Sequence, residues 1–360
     1  MTVIHNKCKA VQFGRNTQPV EPPTEPMARP LRFRYSPQSW SPERVHTDIF
    51  RPLDSNLGAT SSTPWYKLNG GYEARRFDMD NGDTALFAWS SNDAYWLGNT
   101  ETPRSLWDTD KFTFGAVPTA VAAWAEQELI AELYDDEPWL APFENLARFF
   151  LPVLCSKDGR DSTRAFFRDY SAGFPRTDRS AALRYYDDFL GSKALTEFRH
   201  TMAGKLGTSE TVDEIRMAAS MSEFTAAKLL TDAGYTVTPE IEVSTGHAID
   251  FRAGRNGEAS LVEVTRPSPP EQRNAPNPAS AITETVGTKT SGQLDAHGGG
   301  VTLFVDCSSF SDEQWKAVSS ITPPVGHRPA VIFHARPGRT PTAYKSGSVP
   351  LDLDAVFEWV

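Results

Sequence analysis

Apolar and polar positions alternate most regularly between residues 248 and 265, on both sides of Asn256-Gly257. Asn-Gly between alternating runs is the strongest short hairpin signal, a two-residue type I′ turn. Counted outward from it, Arg255 faces Glu258, Arg252 faces Leu261, Phe251 faces Val262 and Asp250 faces Glu263. Strand side chains alternate with period two. Ile249, Phe251, Val262 and Val264 are therefore expected on one face, with Asp250, Glu263 and Thr265 on the other.

Around the hairpin the periodicity changes to that of helices and further strands. Residues 209–233 have helical spacing, with Thr208 or Ser209 as the expected N-cap, acidic Glu210, Asp213 and Glu214 in the first turns, and Gly234 as the stop. In this helix Ala219, Glu223, Ala226, Ala227 and Leu230 fall in one narrow stripe. Strands are expected near 235–243, 248–253, 259–265, 301–306 and 330–334, and helices near 279–296 and 311–319.

The chain before residue 206 divides by pattern. Residues 1–26 are polar and proline-rich without an apolar period, the composition of a disordered tail, and Met27 is an alternative start. Residues 27–115 are β-rich, with Asn81-Gly82 as a second hairpin turn between Tyr72–Met79 and Thr84–Ser90, followed by a strand at 94–98. The string Asp78-Met-Asp-Asn-Gly-Asp83 departs from the EF-hand pattern in its glycine and lacks the distal glutamate, so a turn is expected. Trp89, Tyr95, Trp96 and Trp107 suit either core packing or base stacking. Residues 116–205 read as helices, with Pro118 at a helix start and arginines interleaved with aspartates on an outer face. Residues 206–336 form the α/β unit around the hairpin, and 337–360 a C-terminal extension.

The chemistry concentrates on the polar face of the hairpin. Asp250 and Glu263 are expected directly across from each other, about 4.5–5.5 Å apart at Cβ, where like charges repel. A divalent cation between them removes that repulsion. A solvated outer face is the plain alternative. Carboxylate and carbonyl oxygens suit Mg²⁺, Mn²⁺ or Ca²⁺ rather than zinc, and Mg²⁺ or Mn²⁺ is the expected cofactor. Glu223, out of place among small residues, is the expected third carboxylate, or else a boundary residue reaching water.

The element order, with Glu223 on a helix, Asp250 on the second strand and Glu263-Val-Thr265 on the third, resembles the PD-(D/E)XK nuclease superfamily. The string Glu223-Phe-Thr-Ala-Ala-Lys-Leu-Leu-Thr-Asp-Ala-Gly-Tyr-Thr-Val237 is similar to the opening of archaeal Holliday-junction-resolvase and restriction-endonuclease-like members. The resemblance covers about a third of the chain. It implies an αβββαβ restriction-endonuclease-like core with a mixed sheet, and a metal held by Asp250 and Glu263 with help from Glu223. Thr265 stands where the superfamily pattern has lysine. Lys289, on the following helix with Gln293 one turn later, is the expected substitute. Lys228 lies about 140° from Glu223 around its helix, and Arg266 faces the other side of its strand. Separately, Met27-Ala-Arg-Pro-Leu-Arg-Phe-Arg-Tyr35, Arg76-Phe-Asp-Met-Asp-Asn-Gly-Asp83, Gly204-Lys-Leu-Gly-Thr-Ser209 and Leu303-Phe-Val-Asp-Cys-Ser-Ser309 resemble a haloarchaeal family of unknown function, over nearly the whole chain from Met27.

Composition and charge change the picture further. The 360 residues carry a net charge of −10, which opposes simple electrostatic capture of nucleic acid. Arginine far outnumbers lysine, as in halophilic archaeal proteins. No apolar run approaches a membrane span, so a soluble, cytoplasmic protein is expected. Cys8, Cys155 and Cys307 have no pairing pattern and are expected as free thiols. The seven histidines show no ligand spacing, although His247 and His297 lie near the site in sequence. The expected function is metal-dependent phosphodiester hydrolysis on DNA or RNA, with a second copy of the chain as an admitted partner. The alternative is a catalytically silent nuclease fold that binds nucleic acid or protein.

Overall fold

The hairpin closes as its turn chemistry requires. Asn256 and Gly257 take φ of 55° and 83°, the left-handed pair of a type I′ turn. The computed structural model describes residues 30–207, 211–242, 248–273, 275–292, 294 and 300–360. In it the strands pair Arg255 with Glu258, Arg252 with Leu261 and Phe251 with Val262, the register counted from the turn.

The first part of the chain forms β1 (Phe33–Ser36), α1 (Pro42–Val45), α2 (Arg51–Leu57), β2 (Thr60–Ser62), β3 (Glu73–Asp78), β4 (Thr84–Trp89), β5 (Ala94–Gly98) and β6 (Asp110–Phe112). These strands make one antiparallel sheet in the order β2-β3-β4-β5-β1-β6. Trp89, Tyr95 and Trp96 are buried in its two faces, while Trp107 is exposed. The Asp78–Asp83 turn is tied by arginines, Arg76 to Asp78 at 2.7 Å and Arg160 to Asp83 at 2.7 Å.

Helices follow: α3 (Thr119–Asp136), α4 (Glu144–Leu154), α5 (Arg160–Asp169), α6 (Arg179–Gly191) and α7 (Arg199–Gly204). Pro118 stands at the N-cap of α3. The interleaved charges are ion-paired, Arg164 with Asp136 at 3.2 Å and Arg168 with Asp169 at 3.0 Å.

The last part contains α8 (Glu214–Asp232), β7 (Thr236–Glu242), β8 (Ala248–Arg255), β9 (Glu258–Thr265), α9 (Pro278–Gly292), β10 (Val301–Asp306), α10 (Asp312–Ile321), β11 (Ala330–His334), β12 (Thr342–Ser346) and β13 (Glu358–Trp359). The sheet order is β13-β12-β11-β10-β9-β8-β7. It is mixed: β7, β8 and β9 form an antiparallel meander, while β9, β10 and β11 run parallel through α9 and α10. Parallel neighbours need such crossovers. The helix before the meander starts later than its pattern suggests. Asp213 caps it, its carboxylate accepting the Arg216 N–H at 3.0 Å, while Thr208, Ser209 and Glu210 lie outside the described residues. The stretch after residue 337 adds β12 and β13 to the sheet edge.

Side-chain alternation sorts the sheet's two faces. Phe251, Val262, Val264, Phe304, Val331 and Phe333 join α8 in a core that continues through α3–α7 to the first sheet. Leu303, Val305 and Ile332 join α9 and α10 in a second core. β10 is buried along its whole length, as expected for a strand covered on both faces. Ile249 corrects the simple alternation: it packs in the α9 side core, away from Phe251. The β8–β9 pairing stops at Phe251 and Val262, beside Ile249, and on β7 Glu240, opposite Asp250 in the register, has φ of 55°. Close approach of α8 to the helical layer depends on Gly173, where a Cβ would stand 3.0 Å from Cβ of Ala218.

Among the described residues, Cys155 and Cys307 are buried free thiols, and no helix is long and apolar enough to cross a membrane. Cys8 lies outside the described residues.

Candidate functional site

Four elements deliver carboxylates to one place. Glu223 comes from the sheet-facing side of α8, Glu240 from β7, Asp250 from β8 and Glu263 from β9. The β8–β9 register runs to Phe251 and Val262, and one step further the carboxylates themselves take up backbone donors. Asp250 Oδ2 accepts the Val264 N–H at 2.8 Å, and Glu263 Oε2 accepts the Asp250 N–H at 3.2 Å. The two carboxylates thus brace the strands instead of simply facing each other.

Two lysines enter the cluster from opposite sides. Lys205, the C-cap of α7, is ion-paired with both Glu223 and Glu240, and its Nζ lies 3.8 Å from Asp250 Oδ1. Lys289 of α9 lies 2.5 Å from Glu263 Oε1. Glu263 is 2% exposed. The expected residues therefore separate into two linked groups. Glu223 and Asp250 gather with Glu240 around Lys205, while Glu263 turns to Lys289.

Thr265, at the end of β9, opens onto a cavity of about 410 Å³ lined by Arg273, Thr285, Thr288 and Lys289. Gln293, His247 and His297 lie outside the described residues. Lys228 pairs with Asp232 at 2.5 Å and lies over the Tyr185 ring, away from the cluster. Arg266 reaches the α8 side, with its guanidinium 3.1 Å from Asp306 and bonded to the carbonyls of Ala218 and Gly173. The proline-rich loop after β9 is tied down at several points: Ser309 donates to the Pro267 carbonyl, Gln314 to Glu271, and Arg273 to Thr285.

Burial and mutual repulsion raise the carboxyls. Burial, then the Asp250 charge, pushes Glu223 up to about 8 against the pull of Lys205. Burial, then the Glu263 charge, pushes Asp250 up to about 6, opposed by Lys205 and the Val264 N–H. Burial lowers Lys205, but Glu223 and Asp250 outweigh it and the ammonium is held above its ordinary value. Between pH 4.5 and about 8 the folded chain retains a proton on Glu223 that the unfolded chain releases. Stability then falls as pH rises through that window. Thermal melting should show this negative slope, reduced in Glu223→Gln. A slope unchanged in the variant would assign the dependence to other groups.

Among the described residues, Glu223, Glu240 and Asp250 can each offer a carboxylate oxygen within 4.8 Å of the others. This donor set fits a hard divalent ion such as Mg²⁺ or Mn²⁺. Sequence reasoning missed Glu240 and Lys205. Glu240 could have been found by counting the β7–β8 register, but residues 243–247 carry no tight-turn signal from which to count. Lys205 caps the end of a separate short helix that packs on α4, and it is brought in where Arg216 and Ser220 of α8 donate to the Leu206 and Lys205 carbonyls.

No curated protein and no solved structure matches the chain. A family model does, across residues 28–353, and the chain belongs to that family, a family of unknown function (DUF5784).

Proposed function

We propose that the chain is a metal-dependent phosphodiester hydrolase acting on nucleic acid. The observation that carries this reading is the convergence of Glu223, Glu240 and Asp250 within the unit α8-β7-β8-β9-α9-β10. Its order and strand directions agree with an αβββαβ restriction-endonuclease-like core. Glu223, Glu240 and Asp250 would hold Mg²⁺ or Mn²⁺. The ion, when bound, would lower the pKa of a water and offset charge on the phosphate.

The chain's own residues divide the remaining work. Glu263 fixes Lys289 through its Oε1 and the Asp250 backbone through its Oε2. Lys289 then presents an ammonium at the cavity below Thr265, where Arg273 and the Thr265, Thr285 and Thr288 hydroxyls supply further donors for a phosphate group. Thr265 would donate a hydrogen bond there in place of the lysine of the superfamily pattern. The net charge of −10 repels a polyanion, and salt screens that repulsion.

One observation favours a silent fold: Lys205 already neutralises part of the carboxylate cluster without an ion. The test is incubation of the full chain with Mn²⁺ and labelled single strands, duplexes and four-way junctions at high salt. Cleavage that stops on chelation is expected. Absence of cleavage on all three substrates, together with no heat of Mn²⁺ binding, would move the assignment to the silent fold.

A further inference from the structure

The cation position in this cluster has a resident. Lys205 is ion-paired with Glu223 and Glu240 and lies 3.8 Å from Asp250. These are the same three side chains whose oxygens come within 4.8 Å of one another. An ammonium and a divalent ion at this place compete for those oxygens, and their like charges repel each other. Lys205 also differs from Lys289 in how it is placed. It stands at the C-terminal end of α7, a short helix outside the α8–β10 unit, and reaches the site by a long, flexible side chain. Lys289 instead belongs to the last turn of the crossover helix α9, inside that unit, and contacts Glu263, which is not among the three.

We propose that Lys205 is a built-in competitor for the metal: its ammonium holds Glu223, Glu240 and Asp250 together until a divalent ion displaces it. Once displaced, the ammonium stays within a side chain's length of the carboxylates and supplies the mobile positive charge that β9 lacks at Thr265. The proposal rests on the divalent-ion reading given above. It makes metal affinity a difference between two cations, so the resident lysine weakens apparent binding by the factor needed to displace it.

Titration calorimetry of Mn²⁺ into the full chain tests this. Lys205→Met should bind Mn²⁺ at least about tenfold more tightly than the unaltered protein, since a unit positive charge close to the site has been removed. Lys228→Met, outside the cluster, should leave the affinity unchanged, and Glu240→Gln should weaken it in either background. A second measurement uses the unaltered protein, in case Lys205→Met folds poorly. Acylation of lysines, followed by mass spectrometry, should show Lys205 protected without metal and more reactive with Mn²⁺, with Lys345 as the exposed reference. Equal Mn²⁺ affinity in Lys205→Met and the unaltered chain, or Lys205 reactivity indifferent to Mn²⁺, would overturn the competition while leaving the metal site standing. Failure of both proteins to bind Mn²⁺ would overturn the metal reading itself.

Discussion

Asp250→Asn is expected to lower the proposed metal-dependent hydrolysis by about a thousandfold or more without unfolding the protein. The loss follows from removing one of three carboxylates that would hold the ion, since the charge stabilisation an ion supplies is several kcal/mol and each 1.36 kcal/mol is about tenfold in rate. The fold should survive because the side-chain oxygen of asparagine can still accept the Val264 N–H that Asp250 now accepts at 2.8 Å. Lys205 keeps Glu223 and Glu240 as partners. Burial and the nearby Glu263 already push the Asp250 carboxyl up to about 6, so a neutral amide there relieves a cost of the folded state. The melting temperature should hold or rise while Mn²⁺ binding and turnover disappear. Loss of activity with retained or higher stability is the signature of a residue kept for chemistry. Full Mn²⁺-dependent turnover in Asp250→Asn would remove Asp250 from the site, and a variant that fails to fold would make its role structural.

The largest stability effect is expected at Arg266. Its side chain is 3% exposed, its partner Asp306 is 0% exposed, and they lie 3.1 Å apart. Asp306 also accepts the Ser308 N–H at 2.9 Å, and Arg266 donates to the Gly173 and Ala218 carbonyls. One guanidinium thereby joins the end of β9, the end of β10, α8 and the turn at Ser171–Gly173 of the helical layer. Arg266→Ala would strand a buried carboxylate and leave two carbonyls without this donor, which costs about 3–5 kcal/mol. Urea denaturation should record the loss as a lower midpoint at unchanged slope. The double variant Arg266→Ala/Asp306→Ala should lose clearly less than the sum of the single variants, because the stranded charge is gone. Additive losses would show that the two side chains do not act as a pair.

How much of this was legible depended on whether the governing interaction was local. The hairpin register could be counted because Asn256 and Gly257 dictate it within two residues. The strand at 330–334 and the crossover helices followed from apolar runs and periodicity. Glu223 stood out because a carboxylate among alanines has a packing consequence. The start of α8 was misjudged because several acidic and hydroxyl residues compete there, and tertiary packing decides which one caps. The side taken by Ile249 was misjudged because alternation assumes a regular ladder, and the β8–β9 ladder stops at Phe251 and Val262. Lys205 was invisible because its place depends on a helix packed from outside the unit.

The left-handed backbone at Glu240 bears on how this family's sequences can change. A non-glycine residue held at φ of 55° costs on the order of 1–3 kcal/mol. Glycine or asparagine would relax that cost at once, so a screen for heat resistance alone should repeatedly recover substitutions at this position. Each such gain would delete the carboxylate from the Lys205 cluster. Thermal selection and selection for the site's chemistry therefore pull residue 240 in opposite directions, and the outcome at this one position reports which pressure a given lineage has been under.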